Sequence, residues 1–109
     1  MAHLIVSASF APEHVGVRFD LRPGHARFGR AVQCAPIDIE LFGDRNMSRM
    51  VGHFDLRDDG WWVVDSGSIH GILVNDELVD TVVAPLGRRV RDGDRITVAR
   101  VVLIFHDDR

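Results

Sequence analysis

At 109 residues the chain has the length of one ordinary domain, enough to bury a core and too little for two. Hydrophobic residues make up 46% and charged residues 27%, a balance that excludes a disordered chain. A net charge of −3 and a pI near 6.0 leave no chain-wide basic field, which argues against nucleic acid as a partner and confines any anion site to a local cluster.

Apolar residues recur with period two, the pattern of strands with one buried face, and no long window carries helical spacing. Leu4, Val6, Ala8 and Phe10 alternate first. After Pro12 a second run places Val15, Val17, Phe19 and Leu21 on one face and Arg18, Asp20 and Arg22 on the other. Pro23-Gly24 is a turn signal, followed by a short strand from Ala26 to Gly29 that ends at Arg30. Ile37 to Leu41 alternates as a fourth strand, and Phe42 to Met50 is polar and loop-like. Phe54 and Leu56 point inward before the hairpin turn Asp58-Asp59-Gly60, which leads into Trp61 to Asp65. Alternation puts one of the adjacent tryptophans in the core and the other on the surface. Ser66 to Gly71 is a loop, Val74 begins a hairpin around Asn75-Asp76, and Val79 to Val83 is strand-like until Pro85 and Gly87 break it. Val90, the turn Asp92-Gly93-Asp94, Ile96 to Val98 and Val101 to Phe105 complete the chain. About ten short strands at turn spacing predict an all-β, two-sheet antiparallel sandwich with its site on a loop rim.

All 13 basic residues are arginine, so any phosphate contact would come from planar guanidinium forks. Cys34 is the only cysteine, which excludes an internal disulfide and a cysteine-based zinc site. The start, Met1 to Ser7, lacks the charged and apolar stretches of a signal peptide, and no apolar run reaches membrane-spanning length; a cytoplasmic location is expected. Neither cofactor nor metal is called for.

Three loops hold an ordered set of residues. Gly29-Arg30 closes one strand, Ser48-Arg49 precedes another, and Asp65-Ser66-Gly67-Ser68-Ile69-His70-Gly71 is followed by Val74-Asn75, with Gly93-Asp94-Arg95-Ile96 near the end. In order and spacing this set resembles the forkhead-associated (FHA) domain family, over about residues 15–105 of a single 1–109 domain. The resemblance implies a sandwich of two sheets whose loops at one end bind a phosphothreonine peptide. It gives Arg30 and Ser48 to the phosphate, with Arg49 adding charge or a backbone amide. Ile69 and His70 fall at the peptide-gripping positions. Gly29, Asp65, Ser68, Gly71 and Asn75 shape the loops. A phosphate dianion is suited by charge-assisted, bidentate donors together with a hydroxyl.

The sequence departs from the family pattern at three positions. Val51 stands where the family has a histidine that buttresses the loops, and Ile69 replaces a polar residue near the phosphate. His70 replaces the asparagine whose amide both donates to and accepts from the peptide backbone. A neutral imidazole offers one donor and one acceptor on opposite sides of a ring. Beside a phosphate dianion His70 would favour its charged form and strengthen binding below neutral pH; packed against loop backbone it would do neither.

The enzyme reading is weak. Ser66-Gly67-Ser68-Ile69-His70 lacks the first glycine and the following helix of a nucleophile elbow. The histidines at 3, 14, 25, 53, 70 and 106 form no spaced metal-ligand pair of the helical kind, although His53 and His70 could meet from separate loops. The expected function is a phosphothreonine-dependent protein-interaction module in signalling or assembly. Its expected partner is a phosphothreonine-containing protein or peptide, with no nucleic acid, no membrane and no small-molecule substrate. The alternative is an FHA-like domain that binds an unmodified protein or scaffolds a complex.

Overall fold

A computed structural model describes residues 2–9, 12–24, 26–30, 39–41, 51–66, 71–79 and 87–107. Within them eleven strands follow one another: β1 Ala2–Ala8, β2 Arg18–Asp20, β3 Arg27–Arg30, β4 Ile39–Leu41, β5 Gly52–Arg57 and β6 Gly60–Asp65 come first. Then come β7 Ile72–Val74, β8 Glu77–Val79, β9 Arg88–Arg89, β10 Arg95–Val98 and β11 Val101–Asp107, with a single 3-10 turn at Pro12–His14. Among the described residues no helix is long and apolar enough to cross a membrane.

The strands form two sheets, six-stranded in the order β2-β1-β11-β10-β7-β8 and five-stranded in the order β4-β3-β5-β6-β9. The all-β sandwich read from the alternation is the observed architecture. One pair departs from the antiparallel rule: β4 runs parallel to β3, with Phe28 opposite Ile39 and Arg30 opposite Leu41. Parallel neighbours cannot be joined by a tight hairpin, which is why a longer segment, residues 31–38, separates them in the chain.

Period-two burial builds the core. Leu4 and Val6 from β1, Phe28 from β3, Phe54 from β5, Trp61 and Val63 from β6, and Leu103 and Phe105 from β11 are all 5% exposed or less. Phe28 and Phe54 lie 5.0 Å apart between ring centroids, and Phe54 stacks on Phe105 at 6.5 Å, so one aromatic file crosses from sheet to sheet. Such a ring contributes about 1.5–3 kcal/mol through burial. The turn before β10 is fastened to β11 by Gly93 N and Phe105 N, which donate to Phe105 O and Asp94 O.

Two expectations about side-chain direction fail for local reasons. Val15 and Val17 are 51% and 38% exposed. The 3-10 turn places Val15 N on Pro12 O and Val17 N on His14 O, so the chain is turning where a strand was expected. Leu56, expected inward, is 39% exposed. It pairs with Trp61 next to the hairpin tip, where the larger indole fills the end of the core. Trp62, the outward member of the tryptophan pair, donates its Nε1–H to Asp59 Oδ1 at 2.8 Å and carries the Arg57 guanidinium 4.6 Å above its ring.

Candidate functional site

Strand directions bring the motif-bearing ends together. β4 is parallel to β3, so Arg30 and Leu41 close neighbouring strands at the same end of the sheet. β5 runs back from that end, with Phe28 opposite Gly52, and β6 returns to it, with Gly52 opposite Asp65. The segments 42–50 and 67–70 are therefore both anchored where Arg30 ends its strand. The second of these crosses from β6 in one sheet to β7 in the other over a few residues.

Gly29 is buried in β3 between β4 and β5, and Arg30 follows it as the last residue of the strand. Val51, at the family's histidine position, is 1% exposed and belongs to the core cluster. Its N–H donates to Phe28 O, and its carbonyl accepts from Ser66 N, each at 3.0 Å. An apolar side chain thus fills the space beneath the loop end while backbone hydrogen bonds hold its rim. Asp65 ends β6, and Gly71 opens the way into β7 at φ 73, a left-handed conformation that suits glycine.

Asn75 stands at the other end of β7 with φ 50. Its Nδ2 donates to Asp94 Oδ1 at 3.0 Å, its Oδ1 accepts from Arg95 N at 2.9 Å, and its own N–H donates to Arg95 O at 2.8 Å. It ties the β7–β8 turn to the Gly93-Asp94 turn before β10, at the opposite end of β7 from Gly71. Ser48, Arg49, Ser68, Ile69 and His70 lie outside the described residues. His53 sits on β5 opposite Arg27 and Val64. Among the described residues no group of three histidine, cysteine or acidic side chains is arranged to hold a metal ion.

Sequence reasoning missed the glycine that sets the geometry of the loop end. A Cβ on Gly52 would stand 2.1 Å from Val64 O, so β5 approaches β6 more closely there than any other residue permits. Gly87, read only as a strand breaker, meets β6 from the opposite side, where its Cβ would stand 2.6 Å from Val63 O. The available signal was a glycine inside an alternating strand run, which marks close backbone approach.

One carboxyl is electrostatically distinctive. The hydrogen bond from Trp62 holds Asp59 below the ordinary carboxylate value of 3.8, with Arg89 and Arg57 assisting. It lies at the β5–β6 turn, remote from the loop end.

No curated protein matches the sequence significantly. Among solved structures the chain is similar to the FHA domain of the CT664 protein from Chlamydia trachomatis, at a TM-score of 0.78 and 21% identity over 99% of this chain and 98% of that one. The FhaA FHA domain, solved with the intracellular domain of Rv3910, gives 0.75 and 23% over 97% of this chain and 100% of that one. An FHA domain from a study of phosphothreonine-dependent interactions gives 0.74 and 21% over 99% and 97%. These likenesses establish the fold. The sequence model of the FHA domain matches residues 26–99, which carry Gly29-Arg30, the 65–71 loop and the Gly93-Asp94 turn. The chain belongs to the FHA domain family.

Proposed function

We propose that this chain is a phosphothreonine-peptide-binding module that joins proteins in phosphorylation-dependent signalling or assembly. The observation that carries the reading is the convergence at one end of the five-stranded sheet. Arg30 terminates β3 there, and the same end anchors the segments that hold Ser48-Arg49 and Ile69-His70. Family membership and the structure determined for phosphothreonine-dependent FHA interactions support it.

In this reading an extended segment lies across the loop end. Arg30 makes charge-assisted hydrogen bonds to the phosphate, Ser48 donates its hydroxyl, and Arg49 adds a positive charge or a backbone amide. Ile69 and His70 shape the flanking subsites, while Gly29, Asp65, Ser68 and Gly71 maintain the loop scaffold and Asn75 secures the far end of β7. Recognition requires no cofactor and no catalytic group. Ordering the peptide offsets part of the contact energy, which sets affinities near about −8 kcal/mol, the micromolar range.

The test is a fluorescence-anisotropy titration with a degenerate phosphothreonine peptide library and its unphosphorylated twin. The phosphorylated pool binds and the twin does not; equal binding of both would remove the phosphate from the mechanism. Arg30→Ala should abolish phosphate-dependent binding with little change in Tm. If His70 limits peptide grip, His70→Asn tightens binding, and an unchanged affinity would show that the loop engages the peptide by other groups.

A further inference from the structure

A second charged site lies where β8 and β9, the last strands of their sheets among the described residues, approach each other. Arg88 Nη1 on β9 donates to Glu77 Oε2 on β8 at 3.1 Å and clasps the two edges. Beside this bridge is an open cleft of about 350 Å³ lined by Asn75, Arg88, Arg89, Arg91 and Asp94.

The charges of this cleft are unequally satisfied. Asp94 has both oxygens engaged: Oδ1 accepts from Asn75 Nδ2 at 3.0 Å and Oδ2 from the backbone N–H of Arg91 at 2.8 Å. Its carboxylate holds two turns together. Arg88 is already paired with Glu77. Arg89 and Arg91, both exposed, have no hydrogen-bonded acidic partner among the described residues. The Arg89 guanidinium lies over Gly60, with Nε and Nη2 3.2 Å from where a Cβ would stand, and it interacts electrostatically with Asp59. Three guanidinium groups thus fall within four residues of a chain whose net charge is −3. Holding like charges on one rigid strand and turn is unfavourable, and an incoming carboxylate relieves it through bidentate pairing.

We propose that this cleft is a second docking site, which takes an acidic, carboxylate-bearing stretch of a partner polypeptide whether or not the partner is phosphorylated. A polypeptide fits better than a nucleic acid. Among the described residues the outer side of β9 has no neighbour in the sheet order, so an extended segment can meet backbone groups there as well as guanidinium groups.

The position relative to the loop end matters. Arg89 is opposite Trp62 and Val90 N donates to Trp61 O, so residues 88 to 91 run along β6 away from Asp65. Arg88 is opposite Val63, so about two strand residues, or about 7 Å, separate the start of this site from the end of β6 at Asp65. A partner with an acidic stretch and a second segment at the loop end engages both at once and gains affinity through effective concentration.

The experiment is an NMR titration of the whole chain with an unphosphorylated decapeptide rich in Glu and Asp, with its Gln/Asn counterpart as control. Saturable shifts are expected at Asn75 and at residues 88–94 with the acidic peptide only. Arg89→Ala/Arg91→Ala should weaken binding on the order of tenfold, while Arg18→Ala/Arg22→Ala, which removes equal charge elsewhere, should leave it within about twofold. Arg30→Ala should not change it, which separates this site from the phosphothreonine reading. Absence of saturable shifts, equal loss in both arginine pairs, or equally tight binding of a single-stranded oligonucleotide would each overturn the proposal.

Discussion

Replacing Gly52 by alanine tests whether the close approach of β5 to β6 holds the loop end in place. The added Cβ would stand 2.1 Å from Val64 O, 3.2 Å from Val64 C and 3.1 Å from the Cδ1 of buried Ile72. Ile72 can rotate, but the carbonyl is backbone, and ordinary contact requires it to withdraw by more than about 1 Å. A withdrawal of that size breaks hydrogen bonds that start near 3.0 Å, and those flanking Gly52 outside the strand ladder are Val51 N to Phe28 O and Ser66 N to Val51 O. Two lost bonds at about 1 kcal/mol each, with about 1–3 kcal/mol of overpacking, give about 3–5 kcal/mol. For a domain of this size that lowers Tm by at least about 12 °C. Urea denaturation gives the free energy, and amide chemical shifts locate the damage, which should centre on Val51, Asp65 and Ser66. A loss under about 1 kcal/mol would refute the reasoning. Gly87→Ala is the internal comparison: its Cβ meets Val63 O at 2.6 Å, but β9 is an edge strand with room to move, so the cost should be smaller despite the positive φ of 93°.

Asn75→Ala removes both side-chain hydrogen bonds to Asp94 and Arg95 and puts alanine at φ 50, so it should cost about 2–3 kcal/mol, whereas Asn75→Gly should cost about 1 kcal/mol less; equal losses would mean that the backbone conformation contributes nothing. Asp59 is held below 3.8 in the folded state, so its stabilisation is complete above that value and disappears as pH falls through the lower folded value. Urea curves of the wild type and Asp59→Asn should therefore converge in acid and separate above it, and parallel curves at every pH would exclude the Trp62 hydrogen bond as a contributor. His3 is 9% exposed, stacks on His106 at 4.9 Å and buries an Nδ1 without a partner; His3→Phe keeps the stack, removes the orphaned atom and should stabilise by about 1 kcal/mol, a result refuted by a lower urea midpoint. Val51→His puts a polar ring into a position 1% exposed and should cost about 1–3 kcal/mol; a gain would show that the ring finds hydrogen-bond partners there.

The division between what the sequence revealed and what it concealed follows from the range of each interaction. Strands were legible because burial on one face imposes period two on neighbouring residues: Leu4 and Val6, Ile96 and Val98, and Leu103 and Phe105 alternate inward as their spacing requires. The same period describes a parallel and an antiparallel strand equally well, so nothing in Ile39 to Leu41 distinguished a parallel partner. Pro12 should have weakened the reading of Val15 and Val17, because the turn it begins reverses the chain before β2 starts. The strand ends at Arg30 and Asp65 were legible because a strand end is a local property. Gly52, Gly87 and the arginine cleft were not, because each acquires its meaning from a strand or turn distant in sequence: Val64 O for Gly52, Val63 O for Gly87, and Asn75 for the arginines of the cleft.

Both ends of β6 therefore depend on contacts that no short motif encodes. At one end Gly52 fixes the distance between strands beneath Asp65, and the proposed phosphate site would depend on that spacing as well as on Arg30. At the other, Arg89 lies over Gly60, where a side chain would displace the guanidinium. Two recognition sites on one short strand would then be tuned by glycines rather than by the charged residues that make the contacts. Substitutions at Gly52 and Gly60 should accordingly separate the two binding activities, with Gly52→Ala impairing the loop end and Gly60→Ala, at φ 130, impairing the arginine cleft. Parallel titrations with a phosphothreonine peptide and the acidic decapeptide measure this directly, and equal impairment of both ligands by either variant would show that β6 responds as one unit.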